Sequence, residues 1–133
     1  MSEIVLDSSA VLAVIQTEPG AALVENALPG ALMSTVNLAE VITKLTMSGV
    51  PVMQARRAVE AIGVKIVNFD TEQAELTGGL RPATAKAGLS LGDRACLALS
   101  RLRGATVLTM DRSWKRVDGF DVVLIRDRTS SDP

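Results

Sequence analysis

The chain reads as an α/β protein with a central parallel sheet of about five strands flanked by helices. Short apolar runs alternate with helical patterns along its length, the arrangement that covers a parallel sheet on both faces. Its 133 residues suffice for one domain with a real core. Nearly half of them are apolar (47%) and an ordinary 22% are charged, a balance that folds rather than stays disordered. There are no internal repeats and no low-complexity segments.

Residues 3–7 form the first expected strand, around Ile4, Val5 and Leu6. Asp7, Ser8 and Ser9 then supply N-cap chemistry for a helix with apolar positions Ala10, Val11, Val14 and Ile15. Glu18-Pro19-Gly20 breaks it, and residues 21–28 make a second short helix closed by Pro29-Gly30. Residues 31–34 are the second strand. Ser34 or Thr35 caps the next helix, whose stripe Leu38, Val41, Ile42 and Leu45 has the i, i+3, i+4, i+7 spacing. Gly49-Val50-Pro51 ends it, residues 52–62 form another helix, and Gly63 stops that one. Residues 64–69 are the third strand. Asp70 and Gln73 look like an N-cap and its N3 partner opening a helix toward Leu76. Gly78-Gly79 and Arg81-Pro82 are expected to weaken or break this helix before residues 83–86 resume it. Ser90 opens a strong helix that runs to Arg103 and ends at Gly104. Residues 105–109 and 121–125 are the fourth and fifth strands, joined by a short connection.

Several functions are excluded or disfavoured by composition. The sequence holds no histidine, so neither a Ser-His-Asp triad nor a Cys-His pair can form. The single Cys96 excludes an internal disulfide and a cysteine-based zinc site, and fits a small buried hydrophobe in a reducing cytoplasm. No stretch approaches the ~20 apolar residues of a membrane span. Glu3 and a short apolar run open the chain instead of a basic segment, so no signal peptide is expected. No glycine-rich phosphate loop of either common type is present. With no Tyr, two Phe and one Trp, base stacking can contribute little to nucleic-acid binding.

The net charge of −1 hides an asymmetry. Residues 1–80 carry nine acidic and four basic side chains. Residues 81–116 carry eight basic ones and only two acids, Asp93 and Asp111. Two readings stay open: a basic surround that attracts phosphates to an enclosed metal, or a helix face of solvated arginines.

Four carboxylates lie at segment boundaries or on helices where they could meet. Asp7 and Asp111 follow the first and fourth strands, and ligands in open parallel sheets bind beyond the carboxyl ends of strands. Each also has a local explanation, an N-cap for Asp7 and a turn for Asp111. Ser90 and Asp93 fit a capping box, which is structural, but the first turn of a helix can also present an acid at a site edge. Glu40 lies about 200° around its helix from Leu38. It is therefore either solvated or on a second face that borders the crevice, with Asn37 and Thr43 making that border polar. Gathered together, such acids suit Mg²⁺ or Mn²⁺. The chemistry that follows is metal-assisted hydrolysis of a phosphodiester, with water made nucleophilic by the ion and no histidine required.

The motifs carrying these acids resemble those of the PIN-domain ribonucleases, and in particular the VapC toxins of bacterial toxin–antitoxin pairs. Residues 4–12 (IVLDSSAVL) look like the family's first strand and leading aspartate, and Glu18-Pro19-Gly20 like the break that follows. Residues 34–41 (STVNLAEV) are similar to the helix bearing the family glutamate. Residues 89–99 (LSLGDRACLAL) and 107–114 (VLTMDRSW) are similar to the third and fourth acid motifs. The resemblance implies a PIN-like three-layer sandwich over residues 1–128, with 129–133 a frayed polar tail. It implies that Asp7, Glu40, Asp93 and Asp111 are catalytic and hold Mg²⁺ or Mn²⁺. Asp7 and Asp93 are expected as direct ligands, with Glu40 and Asp111 acting in part through waters or a second ion. It also implies a cytoplasmic endoribonuclease acting on RNA, a VapB-type antitoxin as partner, and a homodimer. The helices between residues 31 and 63 are the candidate surface for either protein contact.

Two other readings compete. One is an inactive PIN-like module that binds RNA or a protein without cutting. The other is a phosphoacceptor receiver domain, which would want clustered acids after the first strand and a lysine after a late one. Ser8 and Ser9 follow Asp7 instead, and no lysine directly follows residues 107–110.

Overall fold

A computed structural model describes residues 3–112, 114 and 117–125. The expected tail at 129–133 and the basic residues Lys115 and Arg116 lie outside the described residues. The elements are β1 (Ile4–Leu6), α1 (Ser8–Ile15), α2 (Ala21–Ala27), β2 (Leu32–Ser34), α3 (Thr35–Met47) and α4 (Val52–Ile62). They continue with β3 (Lys65–Val67), α5 (Thr71–Gly79), α6 (Arg81–Thr84), a 3₁₀ turn (Ala85–Ala87), α7 (Leu91–Arg103), β4 (Thr106–Thr109) and β5 (Val122–Leu124). The strands form one sheet in the order β3-β2-β1-β4-β5, with every pairing parallel.

The period of two along each strand sorts the core into two halves. Leu6, Met33 and Leu108 point to one face, where α1 to α4 cover them through Val11, Val24, Val41, Leu45 and Val59. Their neighbours Val5, Leu32 and Val107 point to the other, against Cys96, Leu97 and Leu99 of α7 and Leu80 beyond α5. The result is the expected three layers. The strands are shorter than expected, three or four residues each. Both edge strands, β3 and β5, are therefore brief, which limits their exposure as pairing templates.

The strand order reverses direction at β1. From β1 the chain steps outward to β2 and β3, then returns on the other side to β4 and β5. Crossovers leaving β1 and β4 therefore part company, opening a crevice beyond the carboxyl ends of those two strands. The register Leu6↔Leu108 brings Asp7 beside Thr109 at its floor.

The helix that opens at Asp70 ends within the span expected. α5 takes in Gly78 and Gly79 as its last two residues and stops there. Each glycine costs about 1 kcal/mol in a helix, while buried Gln73 and Thr77 hold the body of α5 in place. The break falls at Leu80, ahead of Pro82, which has no N–H to extend the ladder and is tolerated in the first turn of α6. Among the described residues no helix is long and apolar enough to cross a membrane.

Leu97 is fully buried in the half-core under α7. Leu97→Ala is expected to lower stability by about 3 kcal/mol, read as a lower urea midpoint at unchanged slope. Met47→Ala, at a side chain 82% exposed, is expected to stay within about 0.5 kcal/mol of the parent.

Candidate metal centre

Asp7 does two jobs. It is the N-cap of α1, accepting the Ala10 N–H on Oδ1 at 2.9 Å. It is also lashed to the end of β4 by two hydroxyls. Ser9 Oγ donates to Asp7 Oδ1 at 2.7 Å and accepts the Met110 N–H at 2.9 Å. Thr109 Oγ1 donates to Asp7 Oδ2 at 2.5 Å and accepts the Asp111 N–H at 3.0 Å. Only 3% of Asp7 is exposed. Burial pushes its carboxyl up from 3.8 to about 6. The bonds from Thr109, Ala10 and Ser9 oppose that shift, and the nearby charge of Asp93 adds to it.

Glu40 sits where α3 meets the start of α7. Its carboxylate lies against Gly92, so closely that a Cβ at position 92 would overlap it. Only glycine leaves that room. Asn37, one turn earlier on α3, donates to Glu40 Oε1 at 2.9 Å and to the Gly92 carbonyl at 3.1 Å. Glu40 is thus half-buried and placed rather than solvated. Asn37, expected as a polar border, is itself buried.

Asp93 follows Gly92 in the first turn of α7. The capping box forms as the spacing suggested: Ser90 Oγ accepts the Asp93 N–H at 3.2 Å, and Asp93 Oδ2 accepts the Ser90 N–H at 2.9 Å. The bond occupies one oxygen, so capping does not preclude a second role.

Cys96 shows that these three acids share one region. It lies fully buried, and burial pushes its thiol well above the usual range. The charges of Asp7, Asp93 and Glu40 all push further in the same direction. Asp111 is half-buried past the end of β4, accepts the Trp114 N–H on its carbonyl at 3.2 Å, and connects to Asp7 through Thr109.

The donors suit a hard cation, although among the described residues no three acids already form a closed metal-holding group. A carboxylate has about four lone-pair sites, and the three bonds to Asp7 leave one direction on Oδ2. Asp93 Oδ1 and Glu40 Oε2 receive no hydrogen bond among those described. Each acid therefore keeps an oxygen for Mg²⁺ or Mn²⁺, and no soft ligand competes.

Three arginines of the basic stretch, Arg94, Arg101 and Arg103, have partners other than these acids. Arg101 and Arg103 lie eight and ten residues along α7 from Asp93, roughly 12 to 15 Å away at 1.5 Å per residue. There Arg103 forms a two-pronged bond with Glu3 at 2.9 and 3.0 Å, and Arg101 stacks 4.1 Å over the Phe120 ring. Arg94, next to Asp93, is turned to the Thr77 carbonyl at 3.1 Å.

Sequence reasoning gave Thr109 and Gly92 no role at the site. Thr109 carried a faint signal, a polar residue ending a buried strand in register beside Asp7. The need for glycine at 92 shows only once α3 lies across α7.

The PIN domain family model matches residues 4–120. No curated protein matches. Among similar solved structures, DNA-bound VapBC from Salmonella typhimurium aligns at TM-score 0.73 and 22% identity, covering 92% of this chain and 98% of that one. VapC20 from Mycobacterium tuberculosis, a toxin cleaving the sarcin-ricin loop, aligns at TM-score 0.70 and 20% identity, covering 92% and 98%. The toxin–antitoxin complex from Klebsiella pneumoniae aligns at TM-score 0.70 and 21% identity, covering 90% and 95%.

Two outcomes are expected. Asp7 gives up its proton near pH 6 when folded and near 3.8 when unfolded, so the native state binds the extra proton between those values. Stability in EDTA then falls as pH rises through that window, by about 3 kcal/mol when complete. Asp7→Asn, which cannot ionise, should gain about 2 kcal/mol on the parent between pH 4 and pH 8 by urea unfolding in EDTA. Gly92→Ala should displace the Glu40 carboxylate with little change in stability, because the added Cβ meets only the mobile end of that side chain and alanine is the better helix former; a loss of several kcal/mol by urea unfolding would show that the carboxylate cannot move aside.

Proposed function

The chain belongs to the PIN domain family, and from that premise we propose that it is a Mg²⁺- or Mn²⁺-dependent endoribonuclease of the VapC type. The observation carrying this reading is the trio Asp7, Glu40 and Asp93 at the β1/β4 crevice, each with an oxygen left open by its structural bonds. Asp7, Asp93 and Glu40 hold the cation in this reading, with Asp111 contributing from the end of β4. Such an ion would make water a competent nucleophile near neutral pH and offset charge on the phosphodiester as it is attacked. The protein's part is to keep the acids oriented and largely out of bulk water. Ser9 and Thr109 fix the plane of the Asp7 carboxylate, and the Ser90 backbone N–H holds one oxygen of Asp93. Arg101 and Arg103 lie at the far end of α7, so attraction of RNA to the crevice falls to the metal and to basic residues other than these two.

The partner in this reading is a VapB-type antitoxin that inhibits the enzyme, and the toxin forms a homodimer. Several similar structures are toxin–antitoxin complexes, which supports that assignment. On this chain the α3–α4 hairpin exposes Met47, Val52 and Met53, apolar surface suited to such contacts.

The test is cleavage of cellular RNA by protein freed of antitoxin. Activity should require Mg²⁺ or Mn²⁺ and vanish in EDTA. Asp93→Asn keeps an acceptor for the Ser90 N–H, and Glu40→Gln keeps one for Asn37, so both should fold. Each is expected to lose on the order of 100-fold or more in rate. Full activity in either would remove that residue from the site. A wild type that binds RNA and never cuts with either metal would instead establish the inactive binding module.

A further inference from the structure

Asn37 is the one polar side chain among the buried residues of α3; the others are Val41 and Leu45. It is 1% exposed. A buried amide is costly unless hydrogen-bonded, and an apolar residue would fill the same space at less expense. Its Nδ2 donates to two acceptors at once, Glu40 Oε1 and the Gly92 carbonyl, across 55 residues of sequence in the second case. Since both partners can only accept, the amide orientation follows from the chemistry. Its Oδ1 is buried with no partner among the described residues.

We propose that Asn37 is a positioning residue for the metal centre. It clamps the Glu40 carboxylate to the first turn of α7 and so sets the spacing between Glu40 and Asp93. The Gly92 carbonyl belongs to the peptide that leads directly into Asp93, so one amide references both acids to each other. A glutamate free on α3 would lose rotamer freedom each time a cation bound. Held by Asn37 in the space that Gly92 leaves, it is already ordered, and the cost of ordering falls on folding instead of on metal binding. Asn37 therefore acts through Glu40, on affinity for the ion. This inference rests on the metal-site reading above.

The experiment is calorimetric titration of Mn²⁺ into the full chain, with no RNA and no activity readout. The parent is compared with Asn37→Ala, Asn37→Ser, Glu40→Gln and the double variant Asn37→Ala/Glu40→Gln, each checked for native circular dichroism. Asn37→Ala and Asn37→Ser should weaken Mn²⁺ binding about 10-fold, the lower end of what outer-sphere partners contribute. In the Glu40→Gln background, Asn37→Ala should cost little more, because the residue it acts through has already lost its charge. Unchanged affinity in either folded Asn37 variant overturns the inference, as does an equal loss in both backgrounds. A parent that binds no Mn²⁺ overturns the metal-site reading and this inference with it. A parent that binds while the Asn37 variants bind equally well overturns this inference alone.

Discussion

The buried Asp7 carboxylate, tied by two hydroxyls to the end of β4, is the interaction around which the site is organised. Ser9 and Thr109 each donate a hydrogen bond to Asp7 and accept one from the backbone N–H of Met110 or Asp111. Strand β1, helix α1 and the turn after β4 are thereby locked at one point. That point is where the sheet order reverses and the crossovers diverge. The lock has a cost, since an ionised carboxyl in so dry a place is strained enough to lift its pKa to about 6. Three hydrogen bonds offset part of that strain. Full compensation needs a proton or a cation, and so the same burial that destabilises the free protein favours an ion.

The second junction, where α3 meets the start of α7, depends on the first for its meaning. α7 lies under the sheet with Cys96 directly beneath the acids, and its first turn rises to the same crevice. The Glu40 carboxylate occupies the space where a side chain at position 92 would begin. The capping box of α7 and the glycine beside it thus serve folding and site geometry together. An acid in the first turn of a helix is also favoured by the helix dipole, which lowers the cost of holding Asp93 there.

Charge along α7 is polarised. Acids crowd its N-terminal end, while Arg101 and Arg103 occupy the other end and are engaged there with Phe120 and Glu3. The Arg103–Glu3 pair joins the last turn of α7 to the start of β1, holding Glu3's carboxyl below its usual range. Through 1.5 Å of rise per residue, the length of α7 sets Arg101 and Arg103 apart from Asp93.

Much of the fold was legible in the sequence because it rests on local signals. The β/α alternation, the Asp7 and Ser90 caps, the stops at Gly63 and Gly104, and the stripe through Val41 and Leu45 are consequences of backbone chemistry and hydrophobic period. Asp7, Asp93 and Asp111 were legible as candidates for the same reason, since strand ends and helix starts can be located without coordinates, whereas Glu40, inside α3, was a candidate only through its motif. Other features were settled only by packing between distant segments. Whether Glu40 faced solvent or the crevice depended on α3 lying across Gly92. Thr109 acquired its role from the register of β4 with β1, and the arginines were dispersed by the length of α7. Each of these is a distance between residues far apart in sequence, and no periodicity along one segment can encode it. The sequence by itself determined which chemical groups exist and which element carries each; tertiary structure decided which of them meet, because meeting is a property of layers and register.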